Sequence, residues 1–259
     1  MNYFTNKERN MSHAKEVSEY CTKHYPDFIH DSVINTIYYP ETLTVPKPIE
    51  KDASIQIDVI QETTTDAIFD FKGCKSMAVL NFASYKNPGG MFIEGSMAQE
   101  ESLCHESFLY NVLSSKRLME LFYIPHRKML NKSLYHSDLL YSPRVRFERR
   151  GQVKFVDVIT CAAPNKKAAQ KYQAVPDAIV HRIMYNRIDS LLYAAADQRV
   201  PVLVLGAFGC GVFGNDLEEV SLIFATLLNG KYRHSFEKVI FAVPDKSSFL
   251  TMKKYLEKM

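Results

Sequence analysis

Apolar and polar positions along this chain follow two periods, and the switches between them lay out the elements. Phe4, Met11, Ala14, Val17 and Cys21 recur at helical spacing, which predicts a helix over residues 2–24. A connector punctuated by Pro40, Pro46 and Pro48 follows. Residues 1–50 thus read as a helical extension and linker packed on a core domain spanning 51–259. Ile55, Ile57 and Val59 alternate with polar residues as in a strand, and 63–71 is a short helix. The mostly apolar run at 77–82 has the pattern of a strand buried on both faces. After a glycine loop come a helix over 98–113, a helical or irregular stretch over 114–137, and strands over 139–148 and 153–161. Pro176 suits the first turn of a long helix whose apolar side carries Ile179, Ile183, Ile188, Leu191, Leu192 and Ala195. Strand 201–205, a second glycine loop, a helix from Asp216, strand 238–243 and helix 246–258 complete the chain. Strands alternating with helices predict an α/β layered sheet.

Composition narrows the function without naming it. With 259 residues, 46% hydrophobic and 24% charged, the chain can bury a substantial core without metals or disulfides. Its five cysteines, Cys21, Cys74, Cys104, Cys161 and Cys210, are odd in number and widely spread, which predicts reduced thiols in a cytosolic or nuclear setting. The segment MNYFTNKERN lacks the apolar core of a signal peptide, and no run is long enough to cross a bilayer, so no membrane partner is expected. A net charge of +3 is too small to imply nucleic acid, and no sequence-specific nucleic-acid contact is expected. A monomer is expected.

The candidate chemistry sits at two glycine loops, each between a buried strand and a helix, where ligands bind in open α/β sheets. The first is Asn87-Pro88-Gly89-Gly90-Met91; the second runs from Gly206 to Asn215 and contains Gly209, Gly211 and Gly214. Glycines let several backbone N–H groups approach one anion, and the following helix adds its positive end. Either loop alone reads as a tight turn; the two together read as a clasp for a diphosphate. The pattern Gly209-x-Gly211-x-x-Gly214 matches the dinucleotide fingerprint, but that motif needs an acidic residue about 20 positions on, and that position falls near His234. A nicotinamide-linked oxidoreductase is therefore disfavoured.

Between the first loop and its helix lie Gln99, Glu100 and Glu101. Acidic residues are common in a first helical turn for capping alone. Adjacent helical residues point about 100° apart, so Glu100 and Glu101 are not expected to face one bond together. Glu101 shares its face with Ala98, Cys104, His105 and Phe108. That partly apolar setting favours the protonated acid, the helix N-terminus favours its anion, and the balance stays open.

These residues also carry a resemblance. Asn81-Phe-Ala-Ser-Tyr-Lys-Asn-Pro-Gly-Gly90 followed by Ala98-Gln-Glu-Glu-Ser-Leu103 resembles the microbial-type poly(ADP-ribose) glycohydrolase family, whose signature is three glycines, a spacer and Gln-Glu-Glu. Counting the triplet as 89–91, the spacer here is seven residues. The likeness extends to Ile60-Gln-Glu-Thr-Thr64, to Asp157-Val-Ile-Thr-Cys-Ala-Ala-Pro-Asn165 and to the loop 206–215, covering roughly residues 50–250. Met91 stands where the family has its third glycine, and its side chain is expected to narrow the pocket wall or shift the loop.

The resemblance implies a macrodomain-like three-layer sandwich, a mixed sheet with helices on both faces, binding ADP-ribose without a cofactor. It implies that Glu101 is the general acid that protonates the leaving oxygen at the ribose anomeric carbon and that Glu100 assists. Pro88, Gly89, Gly90 and Met91 would clasp the diphosphate together with Gly206, Phe208, Gly209, Cys210, Gly211, Val212, Gly214 and Asn215. Phe213 would press on the distal ribose, Asn81 would lie near the reacting sugar, Gln99 would be a further substrate-binding residue, and Glu62 would mark the adenosine side. The expected activity is cleavage of ribose–ribose bonds in poly(ADP-ribose). Removal of a single ADP-ribose from a protein, or binding of ADP-ribose without turnover, are the alternatives.

Other chemistries find less support. Cys104 and His105 diverge as helical neighbours, so a buried thiol beside a polar histidine is expected rather than a nucleophile with its base. No His-Glu-x-x-His or paired ligand spacing occurs, so no metal is expected, and no Gly-x-Ser-x-Gly elbow is present. Arg144, Arg146, Arg149 and Arg150 read as a solvated face, with a polyanion contact as the sharper alternative. Phe108, Tyr110, Phe122 and Tyr123 read as core.

Overall fold

The structure is a computed structural model and describes residues 3–41, 55–73 and 76–257. Pro46, Pro48, the boundary at 50/51, Cys74, Lys258 and the side chain of Phe4 lie outside the described residues.

The strands assemble into one mixed seven-stranded sheet. They are β1 (Ile37–Tyr39), β2 (Gln56–Ile60), β3 (Met77–Phe82), β4 (Leu139–Arg149), β5 (Gln152–Cys161), β6 (Val202–Leu205) and β7 (Lys238–Ala242). Their order is β1-β4-β5-β3-β6-β7-β2. β5, β3, β6, β7 and β2 run parallel, while β4 is antiparallel to both β1 and β5. The five parallel strands therefore end at one edge of the sheet, and β3 and β6, which precede the two glycine loops, are direct neighbours. That adjacency sets the loops side by side.

Side chains alternate between two buried layers, as strand geometry requires. Ala78, Leu80, Leu203, Leu205, Val239 and Phe241 face one, together with α9 (Asp177–Asp197), α10 (Leu217–Asn229) and α11 (Lys246–Leu256). Met77, Val79, Val202, Val204, Ile240 and Ala242 face the other, with α1 (Tyr3–His24), α3 (Thr64–Asp70), α4 (Gln99–His105) and α5 (Leu109–Leu113). The result is the three-layer α/β arrangement. No helix among the described residues is long and apolar enough to cross a membrane.

Two local features depart from the sequence pattern, and the stretch expected as helical or irregular takes its form. The region read only as a connector contributes α2 (Pro26–Asn35) and the edge strand β1, paired with β4 from Ile37 to Tyr39. The helix predicted over 98–113 is two helices, because Ser107 bridges Phe147 and the Glu106 carbonyl accepts from Glu148 N–H, which bends the chain onto β4. Residues 114–137 break into short pieces: α6 (Lys116–Leu118), a π turn at Met119–Tyr123, α7 (Ile124–His126) and a 3-10 turn at Asn131–Ser133. Beyond them, α8 (Lys166–Gln173) caps itself with Asn165, whose side chain accepts from Ala168 N–H.

Candidate active site

A cleft of about 640 Å³ opens at the shared edge of β3, β6 and β7, between the two glycine loops. Loop 1 supplies Gly90 and Met91; loop 2 supplies Phe208, Gly209, Cys210, Gly211, Val212 and Phe213; α4 supplies Gln99, Glu100 and Glu101.

Two glycines are required by close approach. Gly90 has φ +64°, and a Cβ there would lie 2.4 Å from Glu101 Oε1 and 3.0 Å from Glu100 Oε2. Gly209 has φ +73°, and its Cβ would lie 2.5 Å from Ala163 Cβ and 2.7 Å from Asn215 Nδ2. Any L side chain at either position would be strained and would displace a neighbour. Met91, in contrast, is absent from the residues with positive φ, and its side chain is 45% exposed at the cleft. Its backbone does not need glycine, and its side chain narrows the mouth.

The Glu100 and Glu101 carboxylates both approach Gly90 yet take different donors. Both are buried, 3% and 5% exposed, and both carboxylates approach the same loop residue. The backbone directions do differ, but each side chain has three torsions and bends to the donors at hand. Glu101 Oε1 accepts from Met91 N–H at 2.8 Å, and Oε2 reaches back to Ala98 N–H at 3.0 Å. The second contact is the carboxylate half of a capping box; Ala98 has no side-chain acceptor to complete the other half. Glu100 Oε2 accepts from Ser84 N–H at 2.7 Å and Oε1 from Asn81 Nδ2 at 3.1 Å.

Burial pushes the Glu100 carboxyl up to about 8, against the opposing pull of the Ser84 and Asn81 hydrogen bonds; the Glu101 charge adds to the rise. Near neutral pH the resting site therefore holds a proton on Glu100 beside a second carboxyl group. Burial also pushes the Cys210 thiol up to about 12, so it lines loop 2 as a neutral wall.

The other expected site residues divide into lining and support. Asn81 is fully buried and orients Glu100 from behind. Gln99 lines the cleft, yet its amide is engaged with β3 and α3: Oε1 accepts from Phe82 N–H, while Nε2 donates to Leu80 O and Thr64 Oγ1. It fixes α4 to the sheet. Asn215 supports loop 2, donating to Pro164 O and Gly209 O. Pro88, Gly89, Gly206 and Gly214 shape the loops without lining the cleft. Glu62 also stands outside the lining; the nearest tie is Ile60 O, which accepts from cleft-lining Val243 N–H.

Several lining residues had no assigned role in the sequence reading. Tyr85 and Tyr135 stack at 4.3 Å between centroids, and Tyr135 meets Phe213 edge-on at 6.1 Å. Ser84, Lys86, Pro244, Asp245 and Ser248 complete the rim. Ser84, Tyr85 and Lys86 lie within the stretch that carries the resemblance, and Asp245 is the N-cap of α11; tertiary folding alone brings Tyr135, Pro244 and Ser248 there.

The rival constellations dissolve. Cys104 is fully buried with its thiol raised well above the ordinary range by burial, and His105 turns to His13, Nδ1 to Nδ1 at 2.8 Å. Arg146 pairs with Glu148, and Arg149 with Asp66 and Glu106, at the end of β4 away from the cleft. No group of three His, Cys, Asp or Glu side chains able to hold a metal occurs among the described residues.

Comparison with known proteins agrees with this geometry. The family model for the microbial-type PARG catalytic domain matches residues 8–150. The fold is similar to crystalline poly(ADP-ribose) glycohydrolase from Thermomonospora curvata, at 30% identity and TM-score 0.85, covering 96% of this chain and 99% of that one. The same enzyme bound to the inhibitor ADP-HPD aligns at 28% identity and TM-score 0.81, again over 96% and 99%. The Deinococcus radiodurans glycohydrolase in complex with ADP-ribose aligns at 30% identity and TM-score 0.76, over 88% of this chain and 97% of that one. No curated protein matches.

Proposed function

Because this chain belongs to the microbial-type poly(ADP-ribose) glycohydrolase family, we propose that it cleaves the ribose–ribose O-glycosidic bond of poly(ADP-ribose) and releases ADP-ribose, with Glu101 as general acid. The observation that carries this reading is the convergence of two buried carboxyl groups on Gly90, at the floor of a cleft flanked by two backbone loops.

The chemistry follows from the surroundings. Breaking the bond leaves positive character on the ribose ring and negative charge on the departing oxygen. A proton given to that oxygen removes the second burden. The carboxylate left on Glu101 is then held by two backbone donors, Met91 N–H and Ala98 N–H, which stabilise charge-assisted hydrogen bonds without reorganising. Glu100, kept protonated by burial, orders the sugar and keeps the pair from carrying two negative charges. Water then adds to the anomeric carbon and gives its proton to the Glu101 carboxylate, which restores the acid. Loop 2 holds the diphosphate through its exposed backbone, and Phe213 with Tyr135 supplies the aromatic wall. The four described cysteines are free, which supports work in a reducing compartment such as the cytosol.

Product analysis tests the reading. Incubated with poly(ADP-ribose), the protein is expected to release ADP-ribose, and Glu101→Gln to lower kcat roughly 10²–10⁴-fold, the usual worth of a general acid. Full turnover by Glu101→Gln would remove Glu101 from its role. Release from mono-ADP-ribosylated protein with no action on polymer would select the single-unit hydrolase instead.

A further inference from the structure

The N-terminal helix does not line the cleft, yet it touches the segment carrying the two glutamates at both ends. At one end is Gly95, in the turn after loop 1, with φ +78°. A Cβ there would lie 2.5 Å from Lys7 O and 2.9 Å from Met11 Cγ, so the backbone of this turn rests directly on α1. Asn10 Nδ2 donates to Gly95 O at 3.2 Å. The same turn closes on itself through Gly95 N–H to Phe92 O and Ser96 N–H to Met91 O, both 3.0 Å. Met91 N–H in turn holds Glu101 Oε1. At the other end is His105, the last residue of α4, with its ring 5.0 Å from that of His13 and its Nδ1 2.8 Å from the His13 Nδ1. Asn10 and His13 are three residues apart and share one helical face. That face braces residues 91–105, with Glu100 and Glu101 between its two points of contact.

We propose that Asn10 and His13 are positioning residues for the general acid, and that α1 is a splint that keeps Met91 N–H on the Glu101 carboxylate. This rests on Glu101 being the proton donor. A backbone donor on a carboxylate favours its anion, so a relaxed turn leaves the conjugate base less stabilised and proton transfer slower. Substrate affinity is assigned to loop 2 and the aromatic wall, and no described residue of α1 lines the cleft, so KM is insulated from the change.

Steady-state kinetics on poly(ADP-ribose), read as kcat and KM separately, decides the matter. Asn10→Ala is expected to lower kcat about tenfold, a small misplacement of a catalytic group being enough for that, with KM within about twofold. Asn10→Asp keeps the shape but not the N–H and should behave like Asn10→Ala. Asn10→Gln restores a donor and should recover most of the rate. His13→Ala is expected to act in the same direction with a smaller effect. Unchanged kcat in Asn10→Ala and Asn10→Asp, or a lowered kcat that Asn10→Gln does not recover, overturns the splint. Glu101→Gln run in parallel separates the two claims: if it is inactive while the Asn10 variants are normal, only the splint falls, and if it is fully active both fall.

Discussion

The two glycine loops look alike in sequence and differ in what presses on them. In loop 1, Gly90 has no spare room, because two carboxylates occupy the space a side chain would need. In loop 2, Gly211 has nothing within 4 Å of its would-be Cβ, and the next residue, Val212, is 83% exposed. Loop 1 is filled by the protein itself, while the tip of loop 2 stands open. Glycine therefore serves chemistry in the first loop and access in the second. The first should control kcat and the second KM.

Gly90→Ala is the sharpest way to break that comparison. Strain at positive φ and the clash with Glu101 should lower kcat about 10²-fold or more, in line with a roughly 1 Å misplacement of a catalytic group. A variant retaining a tenth of wild-type kcat would show that the carboxylates are not where the chemistry happens. Phe213→Ala, on loop 2, should instead raise KM several-fold with kcat nearly unchanged, because an aromatic contact is worth about 0.5–1.5 kcal/mol beyond its area. A fall in kcat alone would mean that loop 2 shapes the reaction as well as the grip.

Asn215→Ala removes the side-chain donor from the Pro164 and Gly209 carbonyls, which keep Lys166 N–H and the residue 215 backbone N–H, and should cost about 0.5–1.5 kcal/mol, read as a lowered Tm. An unchanged Tm would show that loop 2 holds its form without this clamp. Gly211→Ala is the mildest change. It should leave stability within about 0.5 kcal/mol and alter KM alone, since no packed atom meets the new methyl group.

Acid–base behaviour sharpens the same contrast. The Glu100 carboxyl is raised to about 8 in the folded protein, so burial stabilises the protonated form. Its contribution to stability is fully present below the ordinary glutamate range and is lost as pH rises through about 8. Glu100→Gln should therefore help stability more at pH 9 than at pH 5 on a pH scale set by that shift, as read by thermal denaturation at each pH. Equal changes at both would show that Glu100 is ionised throughout.

Much of this was legible along the chain. Strands β3, β6 and β7 announced themselves as short apolar runs, and both loops as glycine clusters between strand and helix, because period and glycine content are local properties. Short elements were not: β1 has three residues, too few for a period, and owes its existence to pairing with β4. The fate of Gln99 was equally hidden, since nothing local says that its amide will bond the β3 backbone.

What the sequence determined by itself was the α/β layering, the family signature and the identity of the acidic pair. Only the tertiary structure decided that Glu100 and Glu101 meet at Gly90, that Tyr85 and Tyr135 stand beside loop 2, and that α1 lies against the turn at Gly95. The reason is physical. Backbone period fixes where a Cα points, whereas a side chain with several torsions goes where donors, space and neighbours from distant segments allow.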